Sequence, residues 1–313
     1  MNTVTAPLFT PASDWSGRDD GPGPEHARWH SVVDTQAAPR EGAVHLIGFA
    51  SDEGVERNGG RQGAAQGPAA LRAALGSLAI HDEQLRIDAG TVTTQHDDLE
   101  GAQRELSDRV RDLVAAQGAS GMTVVLGGGH ETSFASHRGA YEALGPLQVI
   151  NFDAHFDLRV ADRPTSGTPF KQIAELEGEN FDYSVFGISK PNNTKVLFDT
   201  AAELGVTTVL DTELAEMTVR EAAERALAAV DGDLPIHLSI DLDVLPAAVA
   251  PGVSAPAGFG VAYAALRAMV EAVASTGRVA LLDVVELNPD FDVDNRTAKA
   301  AARLIDDAVA GAR

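Results

Sequence analysis

The sequence predicts an α/β fold with a mainly parallel β-sheet. From residue 43 onward, short apolar segments typical of buried strands alternate with longer segments that have the spacing of amphipathic helices. This alternation indicates βαβ units, and strands that are apolar on both faces suit burial between two helical layers. The 313 residues are enough for one large core, and no internal repeat or long linker divides them. We therefore expect residues 41–313 to form a single domain.

Each strand and helix follows from a short stretch of this pattern. The predicted strands are 44–49, 85–92, 122–126, 147–152, 183–188, 206–210, 236–240 and 279–285. The predicted helices are 68–78, 99–116, 131–144, 194–204, 219–230, 263–274 and 294–310. Pro68 suits the first turn of its helix, and Thr218 and Asp294 are residue types that cap helix N-termini.

The first 40 residues have a different composition from the rest of the chain. Residues 1–40 are rich in Pro, Gly, Asp and Ser, which predicts an irregular N-terminal arm with one helical turn near 25–33. Trp15 and Trp29 are large apolar side chains within this stretch. We expect them to pack the arm onto the body of the protein.

Composition excludes several classes of function. The net charge of −22 argues against partners such as nucleic acid or an anionic membrane surface, and an anionic substrate would need a local cation at its site. Without cysteine, disulfides and thiolate metal sites are impossible. No apolar run approaches the ~20 residues of a membrane span. The N-terminal residues lack the basic and apolar regions of a signal peptide, so we expect a cytoplasmic protein.

A polar triplet ends one of the predicted strands. Asp153, His155 and Asp157 follow the apolar run 147–150 at alternate positions. In extended chain, alternate side chains lie on one side of the backbone, so these three would converge. Two carboxylates and an imidazole without a thiol suit a hard or borderline divalent cation.

Three further predicted strands end in acids or histidines. His130 follows the glycines 127–129, Asp241 and Asp243 follow strand 236–240, and the last strand carries Asp283 and ends before Glu286. The carboxyl ends of parallel strands meet at one edge, so these groups should lie near the triplet. The glycines could instead bind phosphate, but the P-loop Lys-Ser/Thr and the dinucleotide glycine spacing are missing.

The number of candidate ligands indicates two metal ions. Taken singly, a histidine or an acid at a strand end could be a core or capping residue, but jointly they favour a metal site. Four carboxylates and two histidines are too many for one catalytic ion, and they fit a pair of ions that lowers the pKa of a shared water. Oxygen-rich ligation with some imidazole favours Mn²⁺ over Zn²⁺. His45, His137 and His237 fall within predicted strands or helices, and we interpret them as structural.

These motifs together resemble the ureohydrolase family of arginases, agmatinases and formimidoylglutamases. The resemblance rests on 128–131, 153–157, 239–243 and 286–289 and extends over nearly all of the chain after residue 43. It implies a three-layer α/β/α sandwich with an eight-stranded parallel sheet, and a homo-oligomer, either a trimer or a hexamer. Two Mn²⁺ per subunit are also implied: His130 and Asp157 on one ion, His155 and Asp243 on the other, with Asp153 and Asp241 bridging them.

The same resemblance implies roles in the reaction and suggests which substrate is used. Asp157 would hydrogen-bond the attacking hydroxide, and Glu286 would hold the planar cationic group of the substrate. Arginases carry a neutral residue where this chain has Arg159, whose fork suits a carboxylate, although a surface ion pair is the alternative. Ser166 matches a family position and could contact a carboxylate, and Asn193 is a weaker candidate for that contact. Phe170 stands where arginases and agmatinases usually carry a proton-shuttling histidine.

Three further stretches resemble formimidoylglutamases in particular: 15–19, 51–55 with Asn58 and Arg61, and 245–256. The resulting hypothesis is a dinuclear manganese hydrolase that cleaves N-formimidoyl-L-glutamate to L-glutamate and formamide, a step of histidine degradation. One alternative is an agmatinase or guanidino-acid ureohydrolase that releases urea. Another is a metal-stabilised subunit without turnover, against which the full set of ligands argues.

Overall fold

The computed structural model describes residues 8–312, so residues 1–7 of the predicted arm and Arg313 lie outside the described part. The described residues contain ten strands in one sheet. They are β1 Phe9–Thr10, β2 Val33–Asp34, β3 Val44–Ala50, β4 Arg86–Thr93, β5 Met122–Leu126, β6 Gln148–Phe152, β7 Asp182–Ile188, β8 Thr207–Leu210, β9 Ile236–Asp241 and β10 Val279–Val285.

The sheet is parallel throughout its main body. Its order is β1-β4-β3-β5-β10-β9-β6-β7-β8, with β2 also paired to β4. All pairs among β3 to β10 are parallel, which confirms the predicted eight-stranded parallel sheet. The two extra strands come from the arm, and β1 runs antiparallel to β4. Each has only two residues, too few to show a periodicity in the sequence.

The helices lie in two layers. They are α1 Trp29–Val32, α2 Glu53–Arg57, α3 Gly67–Gly76, α4 Leu99–Gln117, α5 Thr132–Leu144, α6 Pro169–Glu177, α7 Lys195–Glu203, α8 Asp211–Glu216, α9 Val219–Leu227, α10 Tyr263–Ala274 and α11 Arg296–Gly311. Alternate residues of one strand enter different cores: Leu46 of β3 packs with α3 and α11, whereas Ile47 packs with α4 and α5. This alternation is the period of two that a strand imposes, and it confirms the α/β/α sandwich.

Seven predicted helices are confirmed, with ends that shift by a few residues, and the short helices α2, α6 and α8 were not predicted. Thr218 caps α9 as predicted, since its hydroxyl accepts the N–H of Glu221. The predicted capping role of Asp294 is wrong. The carboxylate of Asp292 instead accepts the N–H groups of Thr297 and Ala298 at 3.0 and 3.1 Å, and thereby caps α11.

Two tryptophans attach the arm to the sheet and helix layer. The Trp29 ring is fully buried and stacks on Trp15 at 6.3 Å between ring centroids, as expected from the sequence. The indole N–H of Trp15 donates to Asp88 of β4, and that of Trp29 donates to Asp306 of α11, both at 2.8 Å. The helical turn predicted near 25–33 corresponds to a 3₁₀ turn at Pro24–His26 followed by α1.

Within residues 8–312, we find no helix with the length and apolar character that a membrane crossing requires.

Candidate metal centre and its cavity

Four adjacent strands bring the candidate ligands to one edge of the sheet. β5, β10, β9 and β6 are neighbours, and their carboxyl ends meet there. The glycines after β5 lead to His130, and β10 is followed directly by Glu286. Asp241 is the last residue of β9, and a 3₁₀ turn at Leu242–Val244 brings Asp243 beside it. Asp153 follows β6 and begins the loop that carries His155 and Asp157.

One group of candidate ligands surrounds the His130 imidazole. Nδ1 of His130 lies 3.1 Å from an oxygen of Asp153, 3.0 Å from one of Asp157 and 3.1 Å from one of Asp241. None of these contacts has hydrogen-bond geometry, so the buried nitrogen has no hydrogen-bond partner within the described residues. Three carboxylate oxygens around one nitrogen is an arrangement that a cation among them would stabilise.

A second group shares Asp153 with the first. Nδ1 of His155 lies 3.1 Å from an oxygen of Asp243 and 3.6 Å from Asp153. The other oxygen of Asp243 is buried and has no hydrogen-bond partner among residues 8–312. In each group the potential ligand atoms all lie within 4.8 Å of one another. The structure therefore brings together all six residues that were predicted as ligands, in two adjoining sets.

The electrostatics of these groups also fit a cation. Burial, together with the negative charges of Asp243 and Asp153, raises the pKa of Asp241 well above its ordinary value. Burial disfavours the charged form of His130, but the carboxylates of Asp153, Asp157 and Asp241 outweigh it and raise the pKa of the imidazole. The pKa of His155 is raised as well, chiefly by the charge of Asp243, so without a metal the crowded negative charge of the site favours bound protons on Asp241 and on both histidines. Divalent cations would neutralise the same charges and leave the carboxylates free to coordinate.

Asp157 and Glu286 have unusual backbone conformations. Their φ angles are 50° and 67°, in the left-handed region that residues other than glycine seldom occupy. Such a conformation costs about 1–3 kcal/mol and is common at functional sites. The Glu286 carboxylate accepts the N–H of His130 at 2.9 Å. Burial, with the charges of Glu131 and Asp243, raises the pKa of Glu286 to about 8.

A cavity of about 320 Å³ opens above the two groups. Arg159 lines it and is exposed, and its side chain forms no ion pair within the described chain. The surface ion pair that was the alternative reading of Arg159 is therefore not present in this part of the structure. Gly167 makes room for the arginine, since a Cβ atom there would lie 2.8 Å from Cδ of Arg159.

Ser166 and Asn193 line the same cavity, but their polar groups differ in availability. The hydroxyl of Ser166 accepts one hydrogen bond, from the amide of Asn58 at 3.2 Å. Asn193 uses its amide on the backbone: Nδ2 donates to the carbonyls of Ala154 and Ser189, and Oδ1 accepts the N–H of Phe156. Asn193 is thus engaged mainly in holding the loop after β6.

Phe170 forms part of the wall behind the first group. Its ring is fully buried, meets the His130 ring edge to face at 5.1 Å and stacks on Tyr183 at 4.6 Å. A phenyl ring cannot transfer protons. Any proton transfer at this site must therefore use another group.

Asp283 does not reach the cavity, so the prediction that it joins the site edge is wrong. It is fully buried beneath the site, where it accepts hydrogen bonds from Ser133, Ser136 and Ser239 and contacts His237. The strand register explains this depth, because Asp283 pairs with Ser239, two residues before Asp241. His237 and its neighbour His137 belong to the same buried network, which agrees with their structural interpretation.

Similar proteins of known sequence all point to one family. The chain is 51% identical over 295 residues to a formimidoylglutamase of Corynebacterium efficiens, which covers 93% of this chain and 92% of that protein. A formimidoylglutamase of Nocardia farcinica is 48% identical over 301 residues, with 94% and 95% covered.

Solved structures that resemble this chain point to the same family. A formiminoglutamase of Trypanosoma cruzi crystallised with Mn²⁺ matches with a TM-score of 0.76 and 28% identity, covering 86% of this chain and 92% of that one. A proclavaminate amidino hydrolase of Streptomyces clavuligerus matches with a TM-score of 0.77 and 28% identity, over 90% and 94%. The arginase family itself matches residues 42–311. The chain therefore belongs to the arginase family.

Proposed function

We propose that this protein hydrolyses N-formimidoyl-L-glutamate to L-glutamate and formamide, as a dinuclear manganese enzyme of histidine degradation. The observation that carries the proposal is the Arg159 guanidinium, which forms no ion pair among residues 8–312 and lies in the same cavity as the two His/Asp groups. A substrate with a cationic amidine at one end and carboxylates at the other fits that arrangement. The formimidoylglutamases that are 51% and 48% identical to this chain support it.

The two groups of candidate ligands would hold the metal ions. His130 and Asp157 would hold one Mn²⁺ and His155 and Asp243 the other, with Asp241 and with Asp153, which belongs to both groups, as the remaining ligands. Nδ1 of His130 and one oxygen of Asp243, which have no hydrogen-bond partner in the described part of the chain, support this assignment. When bound, such a pair of ions lowers the pKa of a shared water and thereby supplies a nucleophile near neutral pH.

The remaining residues would bind and orient the substrate. Glu286 would pair with the planar cationic formimidoyl group, and Arg159 would bind a carboxylate through its fork, with Ser166 as a further donor. Asn193 would act through the loop that it holds. Asp157 would accept a hydrogen bond from the attacking water and so orient it.

The reaction needs one water and one proton transfer to the leaving group. Water adds to the formimidoyl carbon, the bond from that carbon to the glutamate nitrogen breaks, and the amine leaves with a proton taken from the water. Phe170 cannot deliver this proton. Asp157, which lines the cavity, is the candidate for carrying it from the water to the amine.

Metal removal tests the proposal. Protein treated with a chelator should release no formamide from N-formimidoyl-L-glutamate, and added Mn²⁺ should restore release of formamide and glutamate in equal amounts. Undiminished release from protein shown by elemental analysis to be metal-free would contradict the metal assignment.

A second candidate is a guanidino-acid ureohydrolase that releases urea. The similarity to a proclavaminate amidino hydrolase favours it, and Arg159 would suit a guanidino-carboxylate equally well. An agmatinase is less compatible, because the cationic amine of agmatine would lie beside the cationic guanidinium of Arg159.

Organisation and location are further parts of the proposal. We propose residues 41–313 as one catalytic domain and residues 1–40 as an arm, which the family match over 42–311 supports. We also propose a cytoplasmic homo-oligomer, a trimer or a hexamer, that does not bind nucleic acid. The net charge of −22 supports the last point.

A further inference from the structure

A carboxylate beneath the metal centre is surrounded by donors. One oxygen of Asp283 accepts the hydroxyls of Ser239 at 2.5 Å and of Ser133 at 3.1 Å. The other oxygen accepts the hydroxyl of Ser136 at 2.7 Å and lies 2.7 Å from Nε2 of His237. All five side chains are fully buried. These four contacts fix the position of the Asp283 carboxylate and favour its ionised form.

Ser239 connects this carboxylate to a candidate metal ligand. The Oγ of Ser239 lies 3.1 Å from Nε2 of His130. A serine hydroxyl has a single proton, and here that proton lies in the 2.5 Å bond to Asp283, which as a carboxylate can only accept. Ser239 therefore accepts from His130, so the imidazole proton lies on Nε2.

In the neutral imidazole that a metal requires, the lone pair is then on the other ring nitrogen, which faces three carboxylates. Nδ1 of His130 lies 3.0–3.1 Å from oxygens of Asp153, Asp157 and Asp241. An imidazole binds a metal through its unprotonated nitrogen, and the hydrogen bond at the opposite nitrogen decides which one that is.

We propose that Asp283 is a positioning residue that acts through Ser239 to hold His130 in the tautomer whose Nδ1 binds metal. The inference rests on the metal centre of the proposed function. Asp283 itself does not line the cavity and forms no hydrogen bond with any of the six candidate ligands in the described chain.

Two substitutions interrupt the connection at different points. Asp283→Asn keeps the size of the side chain, but its amide can donate to Ser239. Ser239 would then be free to donate to Nε2 of His130, which moves the imidazole proton to Nδ1. Ser239→Ala removes the acceptor for the Nε2 proton altogether. Both changes should favour the tautomer of His130 with its proton on Nδ1, which cannot bind a metal through that nitrogen.

Calorimetric titration of the chelator-treated full chain with Mn²⁺ tests the inference. Asp283→Asn and Ser239→Ala should each weaken Mn²⁺ binding by about 10–100-fold, the usual effect of losing such an outer partner. The double variant should bind no more weakly than Ser239→Ala alone, because both changes break one connection. Ser136→Ala is the matched control: it removes a buried donor from the other oxygen of Asp283, and Mn²⁺ affinity should stay at the parent value.

The outcomes separate this inference from the proposed function. A parent protein that binds no Mn²⁺ would overturn the metal assignment, and the inference with it. A parent that binds Mn²⁺ while Ser239→Ala binds it equally well would overturn the inference alone, as would additive losses in the double variant. Thermal melting of each apo variant reports folding. If Asp283→Asn does not fold, Ser239→Ala compared with Ser136→Ala decides the question.

Discussion

Arg159 is the residue that links the shared chemistry of the site to one class of substrate. It lines the cavity, it is exposed, and it forms no ion pair in the described part of the chain. A protein as acidic as this one, with a net charge of −22, repels anions at long range. A free guanidinium at the site offsets that repulsion locally, which is why we assign a substrate carboxylate to it.

Replacing Arg159 tests this assignment. A charge-assisted hydrogen bond contributes about 1.5–3 kcal/mol, so Arg159→Ala should raise the KM for N-formimidoyl-L-glutamate by about 10–100-fold. The metal-centred chemistry should be less affected, so kcat should fall by a smaller factor. Steady-state kinetics measure both. Arg163→Ala is a suitable control, since Arg163 is a nearby arginine that pairs with Glu100 and does not line the cavity. An unchanged KM in Arg159→Ala would remove Arg159 from the substrate site.

At the residue scale, the sequence predicted which side chains meet but not how deep each lies. Asp153, Asp241 and Asp243 directly end or follow strands, so the rule that parallel strands converge at their carboxyl ends was enough. Asp283 stands earlier in its strand, and only the register with Ser239 shows that it lies two residues below the site. The role of Asp283 in the buried network could not be predicted, because it depends on side-chain contacts between residues that are distant in sequence.

At the element scale, every helix of ten or more residues was predicted, whereas of the three helices with nine residues α7 and α9 were predicted and α6 was missed. α4 has 19 residues and shows its amphipathic period over five turns, whereas α2 and α8 have 5 and 6 residues. α6 has 9 residues and follows directly the loop that contains Arg159 and Ser166, so Phe170 at its start packs against His130. Such short helices are stabilised by tertiary packing more than by local periodicity.

The N-terminus of α11 offers a direct test of helix capping. Asp292 accepts two backbone N–H groups of α11 and the hydroxyl of Thr297, whereas the residue before the helix, Asn295, has a φ of 54°. Asp292→Ala should lower the free energy of unfolding by about 1–2 kcal/mol. Asp294→Asn should change it by less than about 0.5 kcal/mol, because Asp294 has no capping bond. Chemical denaturation measures both, and equal losses would contradict this assignment of the cap.

At the scale of the whole molecule, the arm and the buried polar network join parts that are distant in sequence. Trp29 of the arm bonds Asp306 near the other end of the chain. Beneath the site, His137 contacts His237 at 3.2 Å and Glu177 at 3.0 Å, so α5, β9 and α6 meet at one buried histidine. Burial, with the charge of His237, lowers the pKa of His137 to about 4.

That shift predicts a pH dependence of stability. Because the pKa of His137 is lower in the folded state than its ordinary 6.5, the unfolded state binds more protons between pH 6.5 and 4. His137 therefore destabilises the fold progressively as the pH falls through this window, by about 2–3 kcal/mol between pH 7 and 4.5. Other buried groups titrate in the same range, so the quantity to measure is the difference between the parent and His137→Gln.

The parent should be the more stable protein at pH 7, and its advantage should shrink by that amount at pH 4.5. Denaturation curves at several pH values, with both proteins treated with chelator, give this difference. A difference that stays constant with pH would show that His137 does not titrate as its burial implies.

The most direct test of the proposed function is a comparison of several substrates in which the products are identified. We predict that the Mn²⁺-loaded protein turns over N-formimidoyl-L-glutamate to formamide and L-glutamate, with a kcat/KM far above those for agmatine and 4-guanidinobutanoate. Urea release from a guanidino compound, with no formamide from N-formimidoyl-L-glutamate, would contradict it.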